Sequence, residues 1–161
     1  MIHIRTAGRL DARDMAALLN AIIRQGGTTA FTTEISGETI KDWFAKAPDQ
    51  SVWHLAEDDA GTLLGFQSIE SHLALPPEAC DIATFVRMGR TGIGIGSKLF
   101  EASCKAAKVL GYGWINATIR ADNSGGLAYY QSRGFETYAT HPDQRLDNGM
   151  VVTKVSKRFD L

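Results

Sequence analysis

Seven residues, Thr91-Gly92-Ile93-Gly94-Ile95-Gly96-Ser97, constrain this chain more than any others. Their three glycines at alternate positions follow the apolar run Ile82 to Val86 and precede the helical pattern Leu99, Phe100, Ser103, Ala107 and Leu110. The segment reads as a strand, a glycine-rich turn and the start of a helix. Such a turn aims several backbone N–H groups at one spot, and the positive end of the helix dipole adds to them. An anion suits that spot, a pyrophosphate best of all. The competing reading is a tight strand-to-helix connection that holds nothing.

At 161 residues the chain is expected to form one domain, 1–161, with a real core. Seventeen basic residues against eighteen acidic ones leave it near neutral, which argues against a nucleic-acid footprint. No apolar run reaches transmembrane length, and Met1-Ile2-His3-Ile4-Arg5 reads as a strand rather than a signal peptide. Cys80 and Cys104 lack metal or redox spacing and suit free thiols in a reducing cytoplasm. His3, His54, His72 and His141 are scattered without ligand spacing, so no metal is expected.

Alternation over Ile2–Thr6 predicts a first strand. Asp11 is placed to cap a helix with the apolar face Met15, Leu18, Leu19, Ile22 and Ile23, stopped by Gly26-Gly27. Ser36 is placed to cap a second, with Ile40, Trp43, Phe44 and Ala47 on one side. Strands are predicted over Ser51–Ala56 and Thr62–Ser71, joined by the turn Asp58-Asp59-Ala60-Gly61, then over Asp81–Arg87. The helix after the glycine turn ends at Gly111 and Gly113, and Trp114–Arg120 is strand again. Asn123 or Ser124 caps a short helix through Ser132; Phe135–Thr140 and Val151–Arg158 are the last strands, with His141–Arg145 read as a polar loop between them. Lys154, Lys157 and Arg158 read as a solvated strand edge. The order β-α-α-β-β-β-α-β-α-β-β implies an α/β fold whose sheet mixes parallel and antiparallel pairs under helices.

Two segments carry a family resemblance. Thr91-Gly92-Ile93-Gly94-Ile95-Gly96 resembles the Arg/Gln-x-x-Gly-x-Gly/Ala turn with which GNAT-type N-acetyltransferases bind the pyrophosphate of acetyl-CoA; Gly94 and Gly96 match, while Thr91 departs from Arg or Gln and Arg90 stands next to it. Asn123-Ser124-Gly125-Gly126-Leu127-Ala128-Tyr129-Tyr130-Gln131-Ser132-Arg133-Gly134-Phe135 resembles the family's Asn-x-x-Ala/Gly-x-x-x-Tyr-x-x-x-Gly-Phe run, matching at Asn123, Gly126, Tyr130, Gly134 and Phe135. Asn20-Ala21-Ile22-Ile23 and Thr28-Thr29-Ala30-Phe31-Thr32-Thr33-Glu34 resemble, more weakly, the phosphinothricin acetyltransferase-like branch, but Ser71–Cys80 lacks the Arg and aromatic residues that the branch carries there. The resemblance implies a sheet of about seven strands, splayed between the fourth and fifth, with about four helices. It implies acetyl-CoA as cofactor, an amine acceptor, and a homodimer.

The same resemblance assigns site residues. The pantetheine arm would slot between the strands Asp81–Arg87 and Trp114–Arg120 and pair with the backbone of Phe85 and Val86. Arg90, Thr91, Gly92, Gly94, Gly96 and Ser97 would meet the pyrophosphate, and Asn123 would bond the arm as well as, or instead of, capping its helix. Tyr130 is the expected general acid for the leaving thiolate, with Tyr129 its rival and a packed core tyrosine the plainer reading. Asp81 is the candidate base or cation holder, against the plainer reading of a strand-end carboxylate in solvent; Glu70 and His72 are rivals. Phe31, Trp43, Trp53 and His54 line an acceptor pocket or, for the tryptophans especially, build core.

Other classes fit less well. A dinucleotide-binding Gly-x-Gly-x-x-Gly would need glycine where Ser97 or Leu99 stands, and no Gly-Lys-Ser/Thr follows the turn. Neither cysteine sits in a nucleophile setting, which favours direct transfer in a ternary complex. The sequence expectation is a cytoplasmic acetyl-CoA-dependent N-acetyltransferase for a small, amino-acid-like primary amine. The alternatives are a non-catalytic CoA-binding or sensor module and an enzyme for a protein amine.

Overall fold

The computed structural model describes residues 1–90 and 93–161. Strands β1 (His3–Thr6), β2 (Val52–Glu57), β3 (Leu63–Glu70), β4 (Ala79–Val86), β5 (Trp114–Arg120), β6 (Glu136–Arg145) and β7 (Val151–Asp160) form one sheet in the order β1-β2-β3-β4-β5-β7-β6. Every pairing is antiparallel except β4 with β5. Helices α1 (Ala12–Gln25) and α2 (Gly37–Lys46) cover one face; α3 (Ile95–Val109) and α4 (Ser124–Ser132) cover the other. The expected mixed sheet and its four helices are all present. Among the described residues no helix is long and apolar enough to cross a membrane.

Each helix buries the stripe its sequence period predicts. In α1, Met15, Leu18, Leu19, Ile22 and Ile23 face Trp53, Leu55 and Phe66 of the sheet. On the opposite face Phe100, Ala107, Ile115, Ala117, Ile119, Tyr130 and Phe135 form a second cluster. Ser36 caps α2 by accepting from the Thr39 N–H. Asp11 precedes α1 but does not cap it with its side chain. A short 3-10 turn, Arg9–Asp11, intervenes, and the carboxylate turns back to the Gly8 N–H and the Arg5 guanidinium. Those bonds, Arg5 first, hold the Asp11 carboxyl below the usual carboxylate range.

The C-terminal ribbon differs most from expectation. His141–Arg145 is not a loop but continues β6, with a register shift between His141 and Gln144 and Asp143 at φ 56°. Pro142 is tolerated there because β6 is the sheet's outer strand. Nor do Lys154, Lys157 and Arg158 stand on a sheet edge, since β7 lies between β5 and β6. Lys157 is accordingly buried, its ammonium donating to Thr137 Oγ1 at 2.9 Å.

Candidate active site

The sheet opens between its two parallel strands. β4 and β5 pair only through Ala79–Trp114, Cys80–Ile115 and Asp81–Asn116. Beyond that point β4 stays with β3 as far as Val86, and β5 stays with β7 as far as Arg120. The facing edges of 82–86 and 117–120 therefore carry backbone donors and acceptors with no strand between them. An extended ligand can take that place as an added strand would.

The ladder decides which residues face the gap. The Arg87 N–H donates to the Leu64 carbonyl at 2.7 Å, so the antiparallel alternation gives the backbone groups of Phe85 to β3 and those of Thr84 and Val86 to the wedge. The Phe85 carbonyl accordingly crowds β3, 2.8 Å from where a Cβ on Gly65 would stand. Phe85, expected to offer its backbone to the pantetheine arm, gives those groups to β3, and the backbone groups that face the wedge are those of Thr84 and Val86.

On the α3/α4 face a buried polar network lies under the wedge. The Tyr130 hydroxyl meets Thr84 Oγ1 at 2.8 Å, and Gln67 Nε2 donates to the same oxygen at 2.8 Å and to Tyr129 at 3.1 Å. Ser103 donates to Gln67 Oε1 at 2.6 Å, and Tyr129 donates to the Gly96 carbonyl at 2.7 Å. The two adjacent tyrosines are thereby separated: Tyr129 spends its one proton on a helix carbonyl, while Tyr130 stands at the wedge. Tyr130 is only 7% exposed, and burial pushes its phenol well above the ordinary value, so it keeps its proton at neutral pH.

The opposite face is polar and more open. Asp81 is partly buried and accepts from Asn116 Nδ2 at 2.9 Å; Asn116 Oδ1 accepts from the Tyr138 hydroxyl. Asn116 Nδ2 also reaches Thr118 Oγ1, which meets Ser156, which meets His141 Nε2 at 2.9 Å. Burial raises the Asp81 carboxyl, and the Asn116 bond and His72 oppose the shift. Glu70 lies directly across from Asp81 and is raised by its own burial first and by Asp81 in part. Asp81 is therefore not a solvated strand end. A ladder of rings, Phe31–Trp43–Trp53–Phe66–Phe85, packs farther along the same face with successive centroids 5.1–6.4 Å apart. Trp53 is core at 7% exposed, and Phe31 is the open end of the ladder. His54 alternates away from Trp53 to the α3 face, so it does not belong to this group.

Gly94 is the N-cap of α3 at φ 88°, a conformation that suits glycine. Gly96 is required for another reason: a Cβ there would lie 2.6 Å from the Tyr129 ring. Thr91 and Gly92, both expected at the pyrophosphate, lie outside the described residues. The first turn of α3 holds no acidic residue. In its place Arg133, from the end of α4, donates to Ser97 Oγ at 2.7 Å, and its Nε is buried without a partner among the described residues. A cation at the positive end of a helix is unfavourable on its own, and the arrangement makes sense with an anion between them. Arg90 is exposed and lies toward Asp58 of the β2–β3 turn, whose carboxyl is lowered first by the Thr62 N–H and in small part by the Arg90 charge. Asn123 caps α4 through the Gly126 N–H at 2.9 Å and donates to the Thr28 carbonyl at 3.0 Å, while Arg120 donates to the Thr29 carbonyl at 3.1 Å. Both contacts tie the α1–α2 connection to the end of β5.

Gln67, Thr84, Asn116, Tyr138 and Arg133 have no place in the motifs. Gln67 and Thr84 were visible as polar residues within largely apolar strands; Tyr138 and Arg133 carry no signal before the chain is folded.

The whole architecture recurs among solved proteins. Pat of Sinorhizobium meliloti, a GNAT superfamily phosphinothricin acetyltransferase solved with acetyl-CoA, is 18% identical with TM-score 0.87, covering 99% of this chain and 88% of its own. A ribosomal-protein-alanine N-acetyltransferase of Brucella melitensis is 21% identical with TM-score 0.89, covering 99% of both chains. In sequence, YwnH of Bacillus subtilis (strain 168), a provisionally named phosphinothricin acetyltransferase, is 24% identical over 98% of this chain and 94% of its own length. Residues 16–135, spanning the wedge, the glycine turn and the helix that bears Tyr130, match the acetyltransferase (GNAT) family, and this chain belongs to it.

Proposed function

We propose that this protein is an acetyl-CoA-dependent N-acetyltransferase that acetylates the primary amine of a small molecule by direct transfer. One observation carries the reading: the sheet parts immediately after the Asp81–Asn116 pair, with a protonated phenol on one face of the opening and a carboxylate on the other. A thioester held there would meet an acid and a base from opposite sides, as acyl transfer to an amine requires. The residues present suit the cofactor: open strand edges for an amide-bearing arm, and the start of α3 with Ser97 and Arg133 for its phosphates.

The cofactor would supply an activated acetyl group and a thiolate leaving group. Thr84 and Val86 would bond the arm with their backbones, Asn123 would reach it from the α4 side, and Gly94, Gly96 and Ser97 would present the α3 N-terminus to the diphosphate. Asp81 would take a proton from the acceptor ammonium and leave the amine free to attack. As the C–N bond formed, the C–S bond would break with its electron pair on sulfur, Tyr130 would give its proton to that sulfur, and the second proton of the attacking nitrogen would leave to water as the amide forms. Burial pushes the Cys80 thiol up to about 12 and raises that of Cys104, so neither offers the thiolate that a covalent acetyl-enzyme would need. Free thiols also suit a cytoplasmic enzyme.

The acceptor face pairs a carboxylate with an aromatic ladder, which suits a cationic amine with an apolar or amino-acid-like body. Calorimetry with acetyl-CoA followed by thiol release across amino acids, methionine sulfone-like compounds, polyamines and aminoglycosides tests the whole reading. Binding with thiol release for one amine class supports it. Binding without release for any amine, small or peptidic, makes the protein a CoA-binding module, and no binding overturns the proposal.

A further inference from the structure

Gln67 is fully buried in the middle of β3, and the chemistry of its neighbours fixes which way its amide points. Tyr129 owns one hydroxyl proton and gives it to the Gly96 carbonyl, an oxygen that can only accept. The Tyr129 oxygen must then receive from Gln67, so Nε2 faces the tyrosines and Oε1 faces the Ser103 hydroxyl. The second Nε2 proton goes to Thr84 Oγ1. Thr84 is thus an acceptor toward β3 with one proton left to place, and the Tyr130 hydroxyl lies 2.8 Å away. Two hydroxyls share one contact, so one proton lies within it and the other is spare.

We infer that Thr84 is the positioning residue of the reaction: it donates its hydroxyl proton to Tyr130 and so leaves the phenol's own proton as the spare one, aimed into the wedge. The inference rests on Tyr130 acting as general acid. The opposite orientation would leave the spare proton on an aliphatic alcohol, a far weaker acid than a phenol, and would lock the useful one away. The same Thr84 bond serves after transfer. When the C–S bond has broken and the Tyr130 proton has moved to sulfur, the phenolate oxygen keeps the Thr84 donor until water restores its proton. Gln67, donating into Thr84, polarises that donor further. The row Gln67 to Thr84 to Tyr130 thus points one way, toward the leaving group.

The test is a double-mutant cycle read by thiol release, with the acetyl-CoA dependence measured for each variant. Thr84→Val keeps the shape and removes the hydroxyl; it should lower kcat about tenfold, the usual weight of one hydrogen bond, while KM for acetyl-CoA holds within about twofold. Thr84→Ser should restore most of kcat. In the Tyr130→Phe background Thr84→Val should cost nothing further, because Thr84 acts through the phenol. A Thr84→Val enzyme with unchanged kcat beside a slow Tyr130→Phe enzyme overturns the inference and leaves the general acid standing. An equal further loss in the Tyr130→Phe background also overturns it. Full turnover by Tyr130→Phe removes the general acid itself and the Thr84 role with it, a result distinct from the other two. Should Thr84→Val lose its cooperative melt, Thr84→Cys, similar in size and a poor donor, takes its place and must show the same pattern.

Discussion

The two faces of the β4–β5 opening are built on opposite principles. Toward α3 and α4 the polar groups Gln67, Thr84, Ser103, Tyr129 and Tyr130 are buried or half-buried and bonded to one another in a closed-in group. Toward α1 and α2 they are more numerous and half-open, and two carboxylates with raised pKa, Asp81 and Glu70, stand side by side. Like charges placed directly across a strand pair repel, and a substrate cation relieves that repulsion. On the proposed function, the closed face would hold geometry for a step common to every acceptor, and the open face would leave room for the acceptor itself. Neighbours of nearly the same fold bear the names of enzymes for phosphinothricin and for a ribosomal protein's alanine, so the fold alone does not choose between them.

The sharpest way to break this division is Tyr130→Phe. It should lower turnover ~10²-fold or more, as for loss of a general acid, with acetyl-CoA affinity by calorimetry little changed. An unchanged single-turnover rate would move catalysis off the closed face. Asp81→Asn should cost ~10-fold or more on the open face and change the shape of the pH profile. The sign follows from the raised carboxyl: the wild type must shed this proton to accept one, so its rate rises with pH through an elevated Asp81 pKa, and the Asn variant loses that acidic limb. If the limb persists in Asp81→Asn, Glu70 becomes the group to remove next.

A smaller effect separates cofactor binding from chemistry. Gly96→Ala forces a methyl against the Tyr129 ring and should lower stability by about 1–3 kcal/mol in a thermal melt, with weaker acetyl-CoA binding. Arg133→Met should raise KM for acetyl-CoA several-fold at low salt and less at high salt, leaving kcat within about twofold. A salt-independent change would assign Arg133 to packing alone.

The motifs made part of this site legible before folding. The run Asn123 to Phe135 singled out Tyr130 over Tyr129 by position; in the structure Tyr129 donates to the Gly96 carbonyl and the Tyr130 hydroxyl meets Thr84. The strands and helices followed from apolar period and capping, and failed at His141–Arg145, where polar residues and a proline disguise an outer strand. An outer strand with both faces wet has no alternation to read. Lys157 was misread for the complementary reason: β6 pairs beside it and Thr137 takes its ammonium, a neighbour that local pattern does not announce.

Local sequence alone determined the order of elements and the two runs that carry the family resemblance, the glycine turn and Asn123 to Phe135, because these depend on contacts within a few residues of chain. What faces what was decided only by the tertiary structure. Asp81 meets Asn116 across a parallel pair, Gln67 meets Thr84 and Tyr129 across strands and helices, and Arg133 meets Ser97 across two helices. The backbone of Phe85 went to β3 and that of Thr84 to the wedge because hydrogen bonding alternates along a paired strand, and the phase of that alternation is set by the partner's register.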